Sequence, residues 1–341
     1  MNYDENRLCL AAWWLPQLPE YPVFDPAMSE PTLNYVPCPD PAGQHRMAYW
    51  EWGEPAAADV VVCVHGLARQ GRDFDALAQA LLAAWPRPLR VVCPDVVGRG
   101  RSDWLKDPMG YQVPHYVADM LALLAQLHAR VALRALDWVG TSMGGVIGMA
   151  ICGTPALTLP GATGAAPLLP VPVRRLVLND VGPVIQWQAL ARIGTYLGNT
   201  GRFASLEEAA DALWAISRPF GPHTREQWLA LSRAMIRPLP AGGFTLHYDP
   251  AIATPFRTVT EESARAGQQA MWRLYDAITA PTLLTRGADS DLLARDTALA
   301  MTQRGPRARL VEFAGVGHAP TFVAADQAQA VVSFLLEPVA S

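Results

Sequence analysis

Short apolar runs alternate with helically spaced stretches from about residue 33 onward. LNYVPC and HRMAYWEWG, rich in β-favouring Tyr, Val and Trp, predict the two strands of a hairpin. ADVVVCVHG is a continuous apolar run ending in glycine, the pattern of a strand buried on both faces. Residues 73–84 (DFDALAQALLAA) have helical spacing, with Asp73 as the expected N-cap. LRVVCPDVVGRGRSD predicts a second buried strand followed by a glycine-rich loop. A helix is expected over 114–130, opening near Pro114; then come a strand at LDWVG and a helix running to about Ile151. TPALTLPGATGAAPLLPVP (154–172) reads as a long surface loop, because RRLVLND resumes the strand pattern at once.

Residues 184–276 break this alternation. They predict helices at 186–198, 205–217, 224–236 and 261–276, with one strand-like stretch, GGFTLHYDP. The strand pattern returns at APTLLTRG and ARLVEF, each followed by a helix. Buried strands alternating with helices imply an α/β fold with a mostly parallel sheet covered on both faces. The expected organisation is an N-terminal extension (1–30), a core (31–183 and 277–341) and a helical cap inserted at 184–276.

Composition narrows the function classes. Hydrophobic residues make up 51% and charged residues 17% of the 341 positions, ample for a sizeable core. Net charge is −4 without blocks of like charge, so no nucleic-acid footprint is expected. No stretch has the apolar length of a membrane span. LCLAAWWLP near the start is uninterrupted only from Leu8 to Leu15 and follows Asp4 and Glu5, which argues against a signal peptide. The five cysteines, Cys9, Cys38, Cys63, Cys93 and Cys152, are odd in number, scattered, and lack CxxC spacing. Reduced thiols in a cytoplasmic protein are therefore expected, and no metal site.

The candidate chemistry begins at DWVGTSMGGVIGM. Gly140, Ser142 and Gly144 form G-x-S-x-G between a predicted strand and a predicted helix, the context that motif requires. So sharp a reversal leaves the serine exposed and crowds side chains at 140 and 144, while Gly145 permits close helix packing. A helix-capping serine in a glycine-rich turn is the bland alternative; the strand–turn–helix setting favours a nucleophile.

A serine hydroxyl needs a base. Of seven histidines, His128 ends a helix in solvent, His45 opens a hairpin strand and His115 begins a helix. His223 and His247 belong to the cap and are candidates to line a pocket. His318, in EFAGVGHAPTF, directly follows the last predicted strand, where α/β folds assemble sites, and is the chosen base. Its acid partner is expected from the loops after the two preceding strands. TRGADSDLL offers Asp289 and Asp291, and VLNDVGP offers Asp180. Asp291, which precedes an apolar pair, is preferred; Asp180 is the alternative, and Asp289 is assigned to the turn. Oxyanion donors are expected from the backbone N–H groups of Leu67, after His65-Gly66, and of Met143. His65 is then a loop-structuring residue.

The order Ser142…Asp291…His318, the HG turn, DVVGRGRSDW and GTSMGG resemble the α/β-hydrolase superfamily, over roughly residues 33–183 and 277–341. The resemblance implies the α/β-hydrolase fold: an eight-stranded sheet, its second strand antiparallel, with catalytic groups on loops at the strand ends. Serine at 142 disfavours the dehalogenases and epoxide hydrolases of the superfamily, which use aspartate there. GTSMGG is similar to the meta-cleavage-product hydrolases, but those carry small residues after HG where this chain has Leu67, Ala68, Arg69 and Gln70.

In the cap, Trp187, Trp214, Trp228 and Trp272 are expected to be packing rather than ligand contacts. Nine arginines balance eight carboxylates over 184–276, which suits a largely apolar ester with at most one negative group. The expected activity is serine-dependent hydrolysis of a small-molecule carboxylic ester through an acyl-enzyme, without metal or organic cofactor. The same machinery serves a C–C bond hydrolase or a lactonase, and a non-catalytic ligand-binding relative is the alternative of another class.

Overall fold

The computed structural model describes residues 30–41, 43–154 and 168–338. Residues 1–29 and 155–167, with nearly all of the expected extension and most of the expected surface loop, lie outside these.

The described residues open with β1 (Thr32–Asp40) and β2 (Gly43–Gly53), the predicted antiparallel hairpin. There follow β3 (Asp59–Val64), α1 (Asp75–Ala84), β4 (Leu89–Pro94), α2 (Val113–Arg130), β5 (Ala135–Thr141), α3 (Met143–Cys152) and β6 (Val173–Asn179). Between β6 and the next sheet strand lie α4 (Trp187–Tyr196), α5 (Leu206–Ser217), α6 (Arg225–Arg233), β7 (Ile236–Pro238), β8 (Phe244–Leu246), α7 (Ala253–Phe256) and α8 (Glu261–Asp276). The chain returns through β9 (Thr282–Gly287), α9 (Arg295–Met301), β10 (Arg309–Phe313) and α10 (Ala325–Leu336).

Eight strands form one sheet in the order β1-β2-β4-β3-β5-β6-β9-β10. Every neighbouring pair from β4 to β10 is parallel; β2 runs antiparallel to both β1 and β4. The unbroken apolar runs are explained by burial on both faces. Along β3, Val60, Val62 and Val64 enter the core that includes Leu123, Leu124 and Ile147, while Val61 and Cys63 enter the one that includes Leu77, Leu81 and Val331. At ~25 cal/mol per Å² of apolar surface, such burial dominates the stability of the layered fold. No helix among the described residues is long and apolar enough to cross a membrane.

Two local expectations are corrected. Asp73 does not cap α1, which starts at Asp75 after a 3-10 turn over 71–74; the Gln70 side chain caps that turn by accepting from Arg72 N–H. Asp73 instead holds Arg69, at 2.6 and 2.7 Å, because a largely buried guanidinium needs an anionic partner. The helix expected over 224–236 ends at Arg233, and residues 236–238 form β7, the partner of the foreseen strand β8. Pro238 and Pro240 exclude further helix there, and Gly242 and Gly243, both at positive φ, turn the hairpin.

Candidate active site

Ser142 directly follows β5, at the turn into α3. Its backbone has φ 52° and ψ −115°, a conformation rare for a side-chain-bearing residue. A Cβ on Gly140 would lie 2.3 Å from the Gly144 carbonyl oxygen, and one on Gly144 2.0 Å from that of Val64. Gly145 brings α3 against Val181, whose Cγ1 would be 2.5 Å from an added Cβ. The bend is clamped by Ser142 N–H donating to Asn179 O at 3.0 Å.

His318, on the loop after β10, places Nε2 3.0 Å from Ser142 Oγ and Nδ1 2.7 Å from Asp180 Oδ2. This fits the tautomer with hydrogen on Nδ1, leaving Nε2 to accept from the serine. Asp180, immediately after β6, is completely buried and sits at φ 54°. Its Oδ1 accepts from Gly287 N–H at 3.0 Å and its Oδ2 from Ser290 Oγ at 2.6 Å. Its own N–H donates to Thr285 O at 2.8 Å. The carboxylate is therefore fixed by donors from β9 and the following loop.

The preferred acid, Asp291, does not reach His318. Its side chain is 48% exposed and forms a two-pronged pair with Arg192 of α4, at 2.9 and 3.0 Å. The reason is local: Leu292 and Leu293 turn into the core, while Ser290 Oγ accepts from both of their N–H groups and donates to Asp180. Asp291 is left facing outward. Asp289 donates its N–H to Val316 O at 2.9 Å, joining the β9 loop to the β10 loop.

At the HG turn, fully buried His65 donates from Nδ1 to Gly66 O at 2.7 Å and accepts Val96 N–H on Nε2 at 2.9 Å. Burial pushes its pKa down to about 3, so the ring is a neutral strut. A Cβ on Gly66 would stand 3.6 Å from Ser142 Cβ, so this turn faces the serine directly. Buried Arg99, unremarked in the sequence, ties the turn to the start of α3: Nε donates to Leu67 O at 2.8 Å and Nη2 approaches Met143 Sδ at 3.6 Å. Among the described residues, neither Leu67 N–H nor Met143 N–H donates to a protein acceptor.

Over Ser142 and His318 lies a cavity of about 350 Å³. The β6–β9 insertion supplies most of its wall, including Tyr196, Phe203, Leu213, Phe220 and Tyr248. Among the described residues its charged lining residues are Arg69 and Arg192, and no carboxylate lines it. None of Trp187, Trp214, Trp228 and Trp272 faces this cavity. Trp214 and Trp228 pack edge to face at 5.0 Å, and Trp272 lies under Arg304. His223 and His247 do not line it either. His223 is held by Thr321 Oγ1 at 2.8 Å, and burial with Arg101 and Arg237 lowers the His247 pKa to about 4. His128 is half-buried rather than solvated and accepts Leu133 N–H at 3.2 Å.

Residues 61–334 match the model of the alpha/beta hydrolase family. The chain belongs to that family. This alpha/beta hydrolase is similar to a 3-hydroxybutyrate-oligomer hydrolase from Cupriavidus necator, 49% identical over 308 residues, covering 89% of this chain and 97% of the relative. It is also similar to the crystal structure of an alpha/beta hydrolase from Novosphingobium aromaticivorans, with TM-score 0.74 and 32% identity over 91% of this chain and 99% of the other.

Proposed function

We propose that this alpha/beta hydrolase cleaves the ester bonds of short 3-hydroxybutyrate oligomers, with Ser142 as nucleophile, His318 as general base and acid, and Asp180 orienting His318. The observation that carries the reaction class is the continuous relay, 3.0 Å from Ser142 Oγ to His318 Nε2 and 2.7 Å from His318 Nδ1 to Asp180 Oδ2, opening into an apolar cavity. The substrate class is supported by the 49% identical relative.

In this reading Ser142 Oγ attacks the ester carbonyl as its proton passes to His318 Nε2. The N–H groups of Leu67 and Met143 receive the oxyanion, each such donor contributing about 3 kcal/mol to the transition state, and the N-terminal end of α3 adds favourable potential. His318 then protonates the departing 3-hydroxyl of the next unit. A water deprotonated by the same imidazole frees the acid from Ser142, and Asp180 stabilises the imidazolium throughout. No cofactor takes part.

Residues 184–276 act as the cap that sets admission. A cavity of about 350 Å³ is at the small end for ligand pockets, suited to a few methyl-bearing units rather than a polymer strand. Such oligomers end in a carboxylate, which in this reading competes with Asp291 for Arg192, a lining cation of the cap. A cytoplasmic site of action belongs to the same reading, consistent with free thiols at Cys38, Cys63, Cys93 and Cys152.

The test is incubation with the linear trimer of 3-hydroxybutyrate. Wild type is expected to release monomer and dimer, and Ser142→Ala neither. An intact trimer alongside turnover of p-nitrophenyl butyrate would overturn the oligomer substrate. Absence of both turnover and fluorophosphonate labelling would overturn the hydrolytic reading.

A further inference from the structure

One segment of the insertion touches both the substrate cavity and the loop that carries His318. Residues 217–223, SRPFGPH, hold two prolines and a glycine, so α5 stops at Ser217 and the chain crosses to the core as a strap. Arg218–Phe220 form a 3-10 turn closed by Gly221 N–H donating to Arg218 O at 3.2 Å. Gly221 has φ 88°, and an added Cβ would lie 2.8 Å from Val316 Cγ2, so glycine is what lets the strap lie this close to the His318 loop. Pro219 and Phe220 of the same strap line the cavity over Ser142.

The core holds the His318 loop through Asp289 N–H donating to Val316 O at 2.9 Å and Asn179 Nδ2 donating to Pro320 O at 2.8 Å. The strap holds it on either side of His318: Gly317 N–H donates to Pro219 O, and Thr321 Oγ1 lies 2.8 Å from His223 Nε2. His223 Nδ1 lies 2.9 Å from Gly221 O. A carbonyl oxygen can only accept, so Nδ1 carries the hydrogen and Nε2 accepts from the Thr321 hydroxyl. Burial lowers the pKa of the ring and favours this neutral form. Trp214 and Trp228 fix the ring by edge-to-face contacts, with centroids 6.3 and 5.8 Å away. Trp228 is itself anchored by Nε1 donating to Ala210 O at 2.7 Å.

We propose that His223 is a positioning residue for His318: through Thr321, and beside the Pro219–Gly317 contact, the cap's strap sets where the imidazole stands between Ser142 and Asp180. The inference rests on the reading of His318 as the base. His318 reaches its partners at 3.0 and 2.7 Å, and a misplacement of about 1 Å in a reacting group costs ~10²-fold in rate. Losing the His223–Thr321 bond loosens the loop beyond His318 while Asp180 stays fixed by Gly287 and Ser290. Proton transfer then slows, and the cavity wall that binds the ester remains. The cap thus does more than admit the ester: the strap that meets it also steadies the base that acts on it.

The experiment measures kcat and KM on p-nitrophenyl butyrate, and the rate of fluorophosphonate labelling of Ser142, in full-chain variants shown to be folded. His223→Leu breaks the bond from the cap, and Thr321→Val breaks it from the core. Each is expected to lower kcat roughly tenfold with KM within about twofold, and to slow labelling by a similar factor, since both reactions need the base. The double variant is expected to match either single one, because all three lack the same bond. His223→Gln, whose amide can donate to Gly221 O and accept from Thr321, is expected to restore most of kcat. Either single variant with the kcat of wild type, a double variant losing the product of the two effects, or a His223→Gln as slow as His223→Leu would overturn the positioning role. Wild type that neither turns over the ester nor takes the label would instead overturn the hydrolytic reading beneath it.

Discussion

The loops after β6 and after β9 each present a carboxylate at the same end of the parallel sheet, and they treat it in opposite ways. Asp180 is buried, held by Gly287 N–H and Ser290 Oγ, and in contact with His318. Asp291 is half-exposed and held by Arg192 of α4. A carboxylate kept from water by fixed donors can stabilise an imidazolium in a low-dielectric site, whereas an exposed pair is screened. The two loops also cooperate, because Ser290 in the second donates to the Asp180 carboxylate carried by the first.

The largest effect expected bears on what both loops serve. Ser142→Ala should lower kcat by ~10⁴-fold or more and abolish fluorophosphonate labelling; retained labelling would move the nucleophile. Next comes Ser290→Ala, which removes one hydrogen bond to the buried carboxylate. Such a bond is worth ~1.5–3 kcal/mol, so kcat should fall roughly tenfold or more with KM nearly unchanged. An unchanged kcat would separate the β9 loop from the acid. Arg192→Gln sharpens the contrast from the other side. It should raise KM for the anionic trimer about tenfold through loss of a charge-assisted contact, while KM for a neutral ester stays within about twofold. Equal effects on the two esters would remove Arg192 from carboxylate recognition.

A smaller effect is expected from pH. Burial holds the His65 pKa at about 3 against an ordinary 6.5. Below 6.5 the unfolded chain therefore binds a proton that the folded chain refuses, and stability falls as pH falls toward 3. His65→Gln, though destabilised at neutral pH, should lose fewer degrees of Tm than wild type between about pH 7 and about pH 4. Parallel losses in the two proteins would mean that His65 is not the group responsible.

Strands buried on both faces were legible because their apolar runs are continuous, and Ser142 because its glycines leave only one geometry at a strand–helix reversal. His318 was legible from its position after the last strand. The carboxylate that meets His318 was not, because Asp180 and Asp291 both follow strands. What separates them is a donor set at Gly287 and Ser290, over 100 residues from Asp180. The helix expected over 224–236 ran into Ile236 and the strand at 236–238 went unforeseen, because three-residue strands carry too little periodicity to register. Arg99 gave no signal, since a glycine-rich loop does not announce that its arginine turns inward.

The central claim is that the catalytic acid is the carboxylate after β6. It is tested most directly by measuring kcat of Asp180→Asn and Asp291→Asn on one p-nitrophenyl ester, in protein shown to be folded. Asp180→Asn is expected to lose ~10³–10⁴-fold, as the loss of the orienting carboxylate does in serine hydrolases, and Asp291→Asn to stay within about threefold of wild type. A large loss in Asp291→Asn with activity retained in Asp180→Asn would contradict it.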